Sequence, residues 1–471
     1  MADASFKHPE ITPSRLVEWQ RMRACSLGEA FVKSQNENFL PMPSGFAAMS
    51  DRGVAAYNAY QCRAQFPEMF EPTVSAMVGM IHDKGITIEL PSGLEGITAR
   101  TNVGSVKLDI EEFHRIITRG LLTLGRYGVL ADAPASGGEV YLVGHEGDRI
   151  INWDKDFYVL DETKYVRDGF NWAEVPSYRV LEISDGTYVQ SLWVNGAKSG
   201  DMSQAQDFPR TISGVGGSSI DELPFYVGNA RQMTPQIETP PLAGVATPSI
   251  ANYQLSADYR WQLFMSGQET LVAINGESPS AVGAGVSHEM HGAEGVTPDL
   301  KYVSPTCRGI ESHKDAMSEN RLQASIAGAR LLMEGSQTGQ ESGKARSLRY
   351  GSETASILTV ARTSCMILQS ALRAAATMQN LDPEQVIVTP PTDLLDKTLS
   401  AADLKILFDI YNDGGMSFEA YFNAAQRGGW QPEGMSADEE WQRIEDPLFS
   451  PDGEPGESEQ SGNQNQSSSQ E

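Results

Sequence analysis

The chain has 471 residues and carries 36 Lys and Arg against 62 Asp and Glu, a formal net charge of −26. With 40% apolar residues it is not a wholly disordered polymer, and its length leaves room for about two to three compact units. The acidity excludes a surface that holds nucleic acid everywhere, because phosphate affinity needs clustered cations. It leaves open a local basic element, or a DNA passage that must not stick.

In chain order, residues 13–65 read as two polar helices around a loop at Leu40-Pro41-Met42-Pro43, with Ser14 as a candidate cap. Phe70 to His82 is an apolar segment. Ile86 to Leu90 alternates and reads as a strand. Residues 109–125 give a clear helix: Asp109 can cap it, and Ile110, Phe113, Ile117, Leu121 and Leu124 share one face. Val129-Leu130-Ala131 reads as a strand directly after it. Residues 139–245 are mainly β, with short Tyr-, Val-, Ile- and Trp-rich runs separated by turns such as Asp185-Gly186 and Asn195-Gly196. Ile212 to Ser219 is a Gly/Ser-rich loop.

The second half has a different texture. A helix is expected over 248–268, then a Gly/Pro-broken segment over 275–308, then a long helix over 309–334. A polar loop, 335–352, leads to a third long helix at 353–381, apolar on most of its circumference. A short strand at Gln385 to Thr389 and helices at 400–412 and 417–427 follow. Residues 431–471 hold eleven acids and one base, so this tail carries −10 and the rest of the chain −16. Its Ser/Gln/Glu-rich end reads as disordered.

Cys25, Cys62, Cys307 and Cys365 form no CxxC pair and read as reduced thiols. The first residues lack the basic and apolar regions of a secretory signal, and no stretch approaches the roughly 18 apolar residues that would make a transmembrane helix. Catalytic motifs fail on their own chemistry. Gly339 to Ala345 ends in Gly343-Lys344-Ala345, but Thr338 replaces the first Walker glycine and Ala345 lacks the Mg²⁺-binding hydroxyl. His288 and His291 are spaced by three in a Gly-rich loop, not by four on a helix, and no third ligand is evident. Gly214 to Ser219 is neither a dinucleotide loop nor a nucleophile elbow. No catalytic residue, metal site or cofactor is expected. One local inversion of sign stands out: Lys344, Arg346 and Arg349 cluster in the 335–352 loop, with Arg330 just upstream. The plain reading is a solvated loop; the sharper one is contact with a polyanion.

The order of elements carries more than any motif. Leu223 to Asn229 closes the mixed α/β half. Pro240-Pro241-Leu242 and the helix with Asn252 to Asp258 follow, then a Gly-rich insert, a long helix, a polar loop and a helix opening Glu353-Thr354-Ala355. With Arg119 to Asp132, Ser342 to Ala345, and Leu399 to Gly429 with its Asp413 to Ser417 turn, this order resembles the tailed-bacteriophage portal protein family, in its uncharacterised portal-like branch, over residues 10–445. The resemblance implies an α+β subunit. Residues 1–247 and 353–398 would form an α/β wing, 248–268 and 309–334 the stem helices, and 269–308 a small clip whose shortness leaves its strand content open. Residues 335–352 would be the channel loop, 399–430 a helical crown, and 431–471 a disordered tail. It further implies a homo-oligomeric ring, usually of twelve subunits, at one capsid vertex. Double-stranded DNA is packaged and ejected through the ring, and a terminase motor, head–tail adaptors and the major capsid or scaffold protein are its partners. The expected location is the virion, with the host cytoplasm during assembly, and no membrane is involved. Under that resemblance Lys344, Arg346, Arg349 and Arg330 are candidate DNA-contacting residues. The alternatives are another phage head structural protein, or a hydrolase with an unrecognised site.

Overall fold

The computed structural model describes residues 3–83, 85–134, 138–195, 202–204, 210–211, 220–267, 269–277, 279, 291, 295–303, 309–332, 343–391, 401–427, 429–431 and 434–445. The chain divides into two compact units, Met1–Thr392 and Asp393–Glu471. Both contain helices, and the first also carries the sheets, so the fold is α+β.

The N-terminal segment is more finely divided than two helices: α1 (Pro13–Leu27), α2 (Glu29–Ser34), α3 (Ser44–Ala47) and α4 (Asp51–Arg63). Thr12, not Ser14, caps α1, its hydroxyl accepting from the Arg15 N–H. The apolar segment is helix α5 (Phe70–His82), and the alternating run is strand β1 (Thr87–Glu89). After β2 (Thr101–Val103) and β3 (Val106–Leu108) comes α6 (Ile110–Leu124). Asp109 caps it as the sequence suggests, accepting from the Glu112 N–H at 2.8 Å, and Gly125 ends it at φ 74°, a conformation that favours glycine.

The β region then runs through β4 (Arg126–Asp132), β5 (Tyr141–Glu146), β6 (Ile150–Trp153), β7 (Phe157–Asp161), β8 (Lys164–Asp168), β9 (Asn171–Val175), β10 (Ser177–Ser184), β11 (Thr187–Asn195), β12 (Met202–Gln204), β13 (Arg210–Thr211) and β14 (Phe225–Asn229). One sheet has the order β14-β4-β5-β2-β3, antiparallel except for β2 beside β5. The other has the order β12-β11-β10-β7-β6, with β13 also on β11. Asp185 and Gly186 both have positive φ, the mark of the tight turn expected there. The 212–219 loop lies outside the described residues.

Next come α7 (Ala243–Ser266), β15 (Thr270–Ile274), β16 (Asp299–Val303), α8 (Ile310–Leu332), α9 (Gly343–Met378) and β17 (Ile387–Thr389). Two expected boundaries are corrected. Helix α7 starts at Ala243 and runs through Pro248, because Val245, Ala246 and Pro248 are buried with the core. Helix α9 starts at Gly343, ten residues before the expected start, and absorbs Gly351-Ser352. An interior Gly costs a helix only about 1 kcal/mol, and no proline intervenes. The expected 335–352 loop is therefore helical from 343 onward, and the residues before that lie outside the described ones. The Gly/Pro-broken segment is framed by an antiparallel pair, with Thr270 opposite Val303 and Ile274 opposite Asp299.

Helix α9 is the spine of the first unit. Its Ile367 and Leu368 are fully buried, and it packs against α6, β4 and β14. Strand β1 closes the wrap by pairing with β17, Thr87 opposite Thr389.

The second unit contains α10 (Ala401–Asn412), α11 (Phe418–Arg427) and α12 (Ala437–Glu445), with rings of Phe408, Tyr411, Phe418 and Tyr421 in mutual contact. Here the expectation of a disordered tail from 431 is corrected. Ser436 and Glu439 form a capping box: the Ser436 N–H donates to the Glu439 carboxylate at 2.9 Å and the Glu439 N–H to the Ser436 hydroxyl at 3.3 Å. That local device starts α12 despite the acidic composition.

Candidate functional site

The first candidate is the helical region that holds the basic residues. Helix α7 is anchored against α1, α4 and α5, while Leu263 and Met265 near its end are exposed. Helix α8 lies along α7. The contact is close because it uses small residues: a Cβ on Gly244 would stand 3.1 Å from the Ala327 Cβ, and one on Gly328 3.2 Å from the Thr73 methyl of α5. Two polar links cross it. The Asn252 side-chain amide donates to the Met317 carbonyl at 2.7 Å, and the Gln262 amide meets the His313 ring at 3.0 Å. Beyond this seam α8 is largely open, with Glu311, Lys314, Asp315, Glu319, Arg321, Leu322 and Ile326 all exposed.

Lys344, Arg346 and Arg349 fall in the first two turns of α9, and Arg330 in the last turn of α8, two helices that contact each other. The expected basic loop is thus a basic helix start. No acid occupies the first turn of α9. A cation there sits at the positive end of the helix dipole, an arrangement that a nearby anion relieves.

The second candidate is a buried polar junction of α5, α6 and α9 that sequence spacing does not reveal. His82 Nε2 lies 3.0 Å from the Thr118 hydroxyl, and His114 Nε2 lies 3.0 Å from the Ser364 hydroxyl and 3.7 Å from Cys365 Sγ. The two rings meet edge to face at 4.7 Å. Burial, helped by the charge of Arg115, pushes the His82 pKa down to about 4. Burial and the neighbouring His82 push His114 down to about 3. Burial pushes the Cys365 thiol up to about 12, so the pair holds a neutral thiol and a neutral imidazole, not an activated nucleophile.

The third is a polar network where the two sheets meet. Buried Asp132 accepts from the Tyr141 hydroxyl and the Gln190 amide, both at 2.8 Å. Arg179 donates to both Glu162 oxygens, at 2.7 and 3.0 Å. Burial opposes the Glu162 charge, but Arg179 outweighs it and holds that carboxyl below its usual range. Next to the network, Arg126 donates to the carbonyls of Gly147, Ile150 and Pro235, each at 2.7 Å, with the Trp153 ring 4.5 Å away. The three carbonyls come from the turn into β6, the first residue of β6 and the segment after β14, which makes Arg126 a structural clamp. Among the described residues no group of three or more His, Cys, Asp and Glu is arranged to hold a metal. His291 is described and His288 is not. No described helix is long and apolar enough to cross a membrane.

Residues 241–379 match the family described as a domain of unknown function, DUF4055, which is found in phage-type proteins. No curated protein matches the chain. The matched segment opens two residues before α7 and closes one residue after α9, so it coincides with the helix–strand pair–helix–helix unit that holds the basic residues.

Proposed function

We propose that this chain is the subunit of a phage portal: a homo-oligomeric ring at one capsid vertex through which double-stranded DNA is packaged and later ejected. The carrying observation is that one contiguous unit, α7 through α9, coincides with the segment shared with a family of phage-type proteins. In this reading α7 and α8 are the stem, β15 and β16 the clip, and α10 and α11 the crown. The wing is built from the two sheets with α1–α6 and the spine α9. The terminase motor and then head–tail adaptors dock on the clip, capsid or scaffold protein surrounds the ring in the virion, and assembly takes place in the host cytoplasm. The protein acts as a conduit, not as an enzyme.

The surfaces support association. Helix α8 leaves Leu322 and Ile326 uncovered, and α10 leaves Ile406 and Ile410 uncovered, each pair four residues apart on one side of its helix. The charge supports a sliding partner: an acidic chain with few clustered cations holds phosphates weakly, and tight binding would stop translocation. Negative-stain imaging of the purified full chain tests the proposal. A ring with an axial hole is expected; a stable 51 kDa monomer at assembly concentrations would overturn it.

A further inference from the structure

A second uncovered feature of the first unit is a β-arm, and its origin lies in strand register. Strands β7 and β10 pair with Asp161 opposite Tyr178, and β8 and β9 pair with Lys164 opposite Val175 and Asp168 opposite Asn171. These pairs share one register, so β7–β8 and β9–β10 form a single two-stranded ribbon that starts inside the larger sheet. The ladder falters where Pro176, which has no N–H, stands opposite Thr163, and the Ser177 N–H turns to the Thr163 hydroxyl at 3.4 Å. Beyond that point the ribbon leaves the sheet. From Glu162 to its tip at Gly169 it spans about 25 Å at the usual rise of a strand.

Nothing among the described residues covers this arm. Phe170 at the tip is 95% exposed, Trp172 67%, Tyr165 66% and Val166 42%. Its one cation–π contact is internal, Arg167 over Phe170 at 5.7 Å. A two-stranded ribbon open on both faces is marginal in water, and aromatic surface on this scale marks a binding site.

We infer that this arm docks on a second copy of the same chain. Two observations select that occupant. The first is area. At roughly 150–250 Å² per ring, the uncovered parts of the three aromatics offer about 350–550 Å², near half of the ~800 Å² that each partner contributes to a stable interface. The second is charge. Two copies of a −26 chain repel, so their contact belongs where the surface is locally neutral. The arm carries Lys164 and Arg167 against Asp168 and Glu174, a net charge of zero. An arm that leaves its own body and meets a different surface on its neighbour is compatible with a head-to-tail contact, the type that closes rings. The inference therefore rests on the self-association that the portal reading requires.

The test compares the wild-type chain with F170S/W172S by sedimentation velocity across a concentration series, with hydrogen exchange of amides 164–175 in dilute and concentrated wild-type samples. The substituted side chains are exposed, so the fold is expected to persist. The concentration for half-assembly should rise about tenfold or more, and wild-type arm amides should gain protection on concentration. A wild type that assembles, with the variant assembling equally and arm exchange independent of concentration, overturns the arm and leaves the portal reading standing. That result would point to a different protein as the occupant. A wild type that stays monomeric overturns both.

Discussion

Three buried imidazoles set how the fold responds to acid. His82, His114 and His145 are neutral in the folded chain. Burial pushes His145 down to about 4, with Arg179 adding to the effect and Glu162 and Asp132 opposing it. His82 also sits near Arg115, and His114 faces His82, Ser364 and Cys365. Each folded pKa is depressed below the ordinary histidine value near 6.5, so as pH falls through 6.5 the unfolded chain takes up protons that the folded chain refuses. Stability is complete above about pH 6.5 and declines toward pH 4, on the order of 3 kcal/mol for each imidazole. Denaturant midpoints should fall between pH 6.5 and 4.5, before most carboxylates titrate, and H114Q should flatten that slope. An unchanged slope in H114Q would mean the imidazole titrates in place. At this scale the sequence was legible where the chemistry is local. Asp109 as a cap follows from its neighbours. The His82–His114 pair joins α5 to α6, and Ser364 reaches it from 250 residues away, so no spacing could announce it.

Helix–helix seams in the first unit rely on small residues at fixed places. Gly328 of α8 lies where a Cβ would press on Thr73 of α5 and approach Val245 of α7. A branched side chain there must push α8 outward, whereas Ser325, exposed one turn earlier, has room for change. G328V is expected to cost about 1–3 kcal/mol, read as a lower thermal midpoint and faster proteolysis within α8, with S325A near wild type. Equal behaviour of the two variants would show that α8 is not held at this seam. Element existence was readable from periodicity and turn chemistry over most of the chain. Boundaries were not, and the reasons are physical. Burial carried α7 through Pro248, the modest cost of Gly351 and the absence of proline let α9 run back to Gly343, and a capping box outweighed acidic composition at α12. The β8–β9 arm also had a signal in Tyr165-Val166-Arg167-Asp168-Gly169, a strand running into a tight turn. The turn takes glycine at φ 61°.

For the whole molecule, the basic start of α9 stands against a net charge of −26. If the portal reading holds, twelve copies would bring roughly 36 cations from Lys344, Arg346 and Arg349 around one axis. Replacing the three with Ala should shorten packaged DNA or weaken its retention, with the effect growing as salt falls. Normal packaged length and normal retention would exclude a DNA-contacting role for them.

The pairing of β1 with β17 has a consequence for how the chain is made. Roughly 300 residues separate the two strands, and α9, which packs on β4, β5 and β14 as well as on β17, is also translated late. At about 5–20 residues per second, β1 emerges from the ribosome some 15–60 s before its partner exists. A polypeptide that stops short of Thr389 cannot close the first unit. Prematurely terminated products should therefore be cleared as unfolded chains and should not compete with full-length subunits for a place in an assembly.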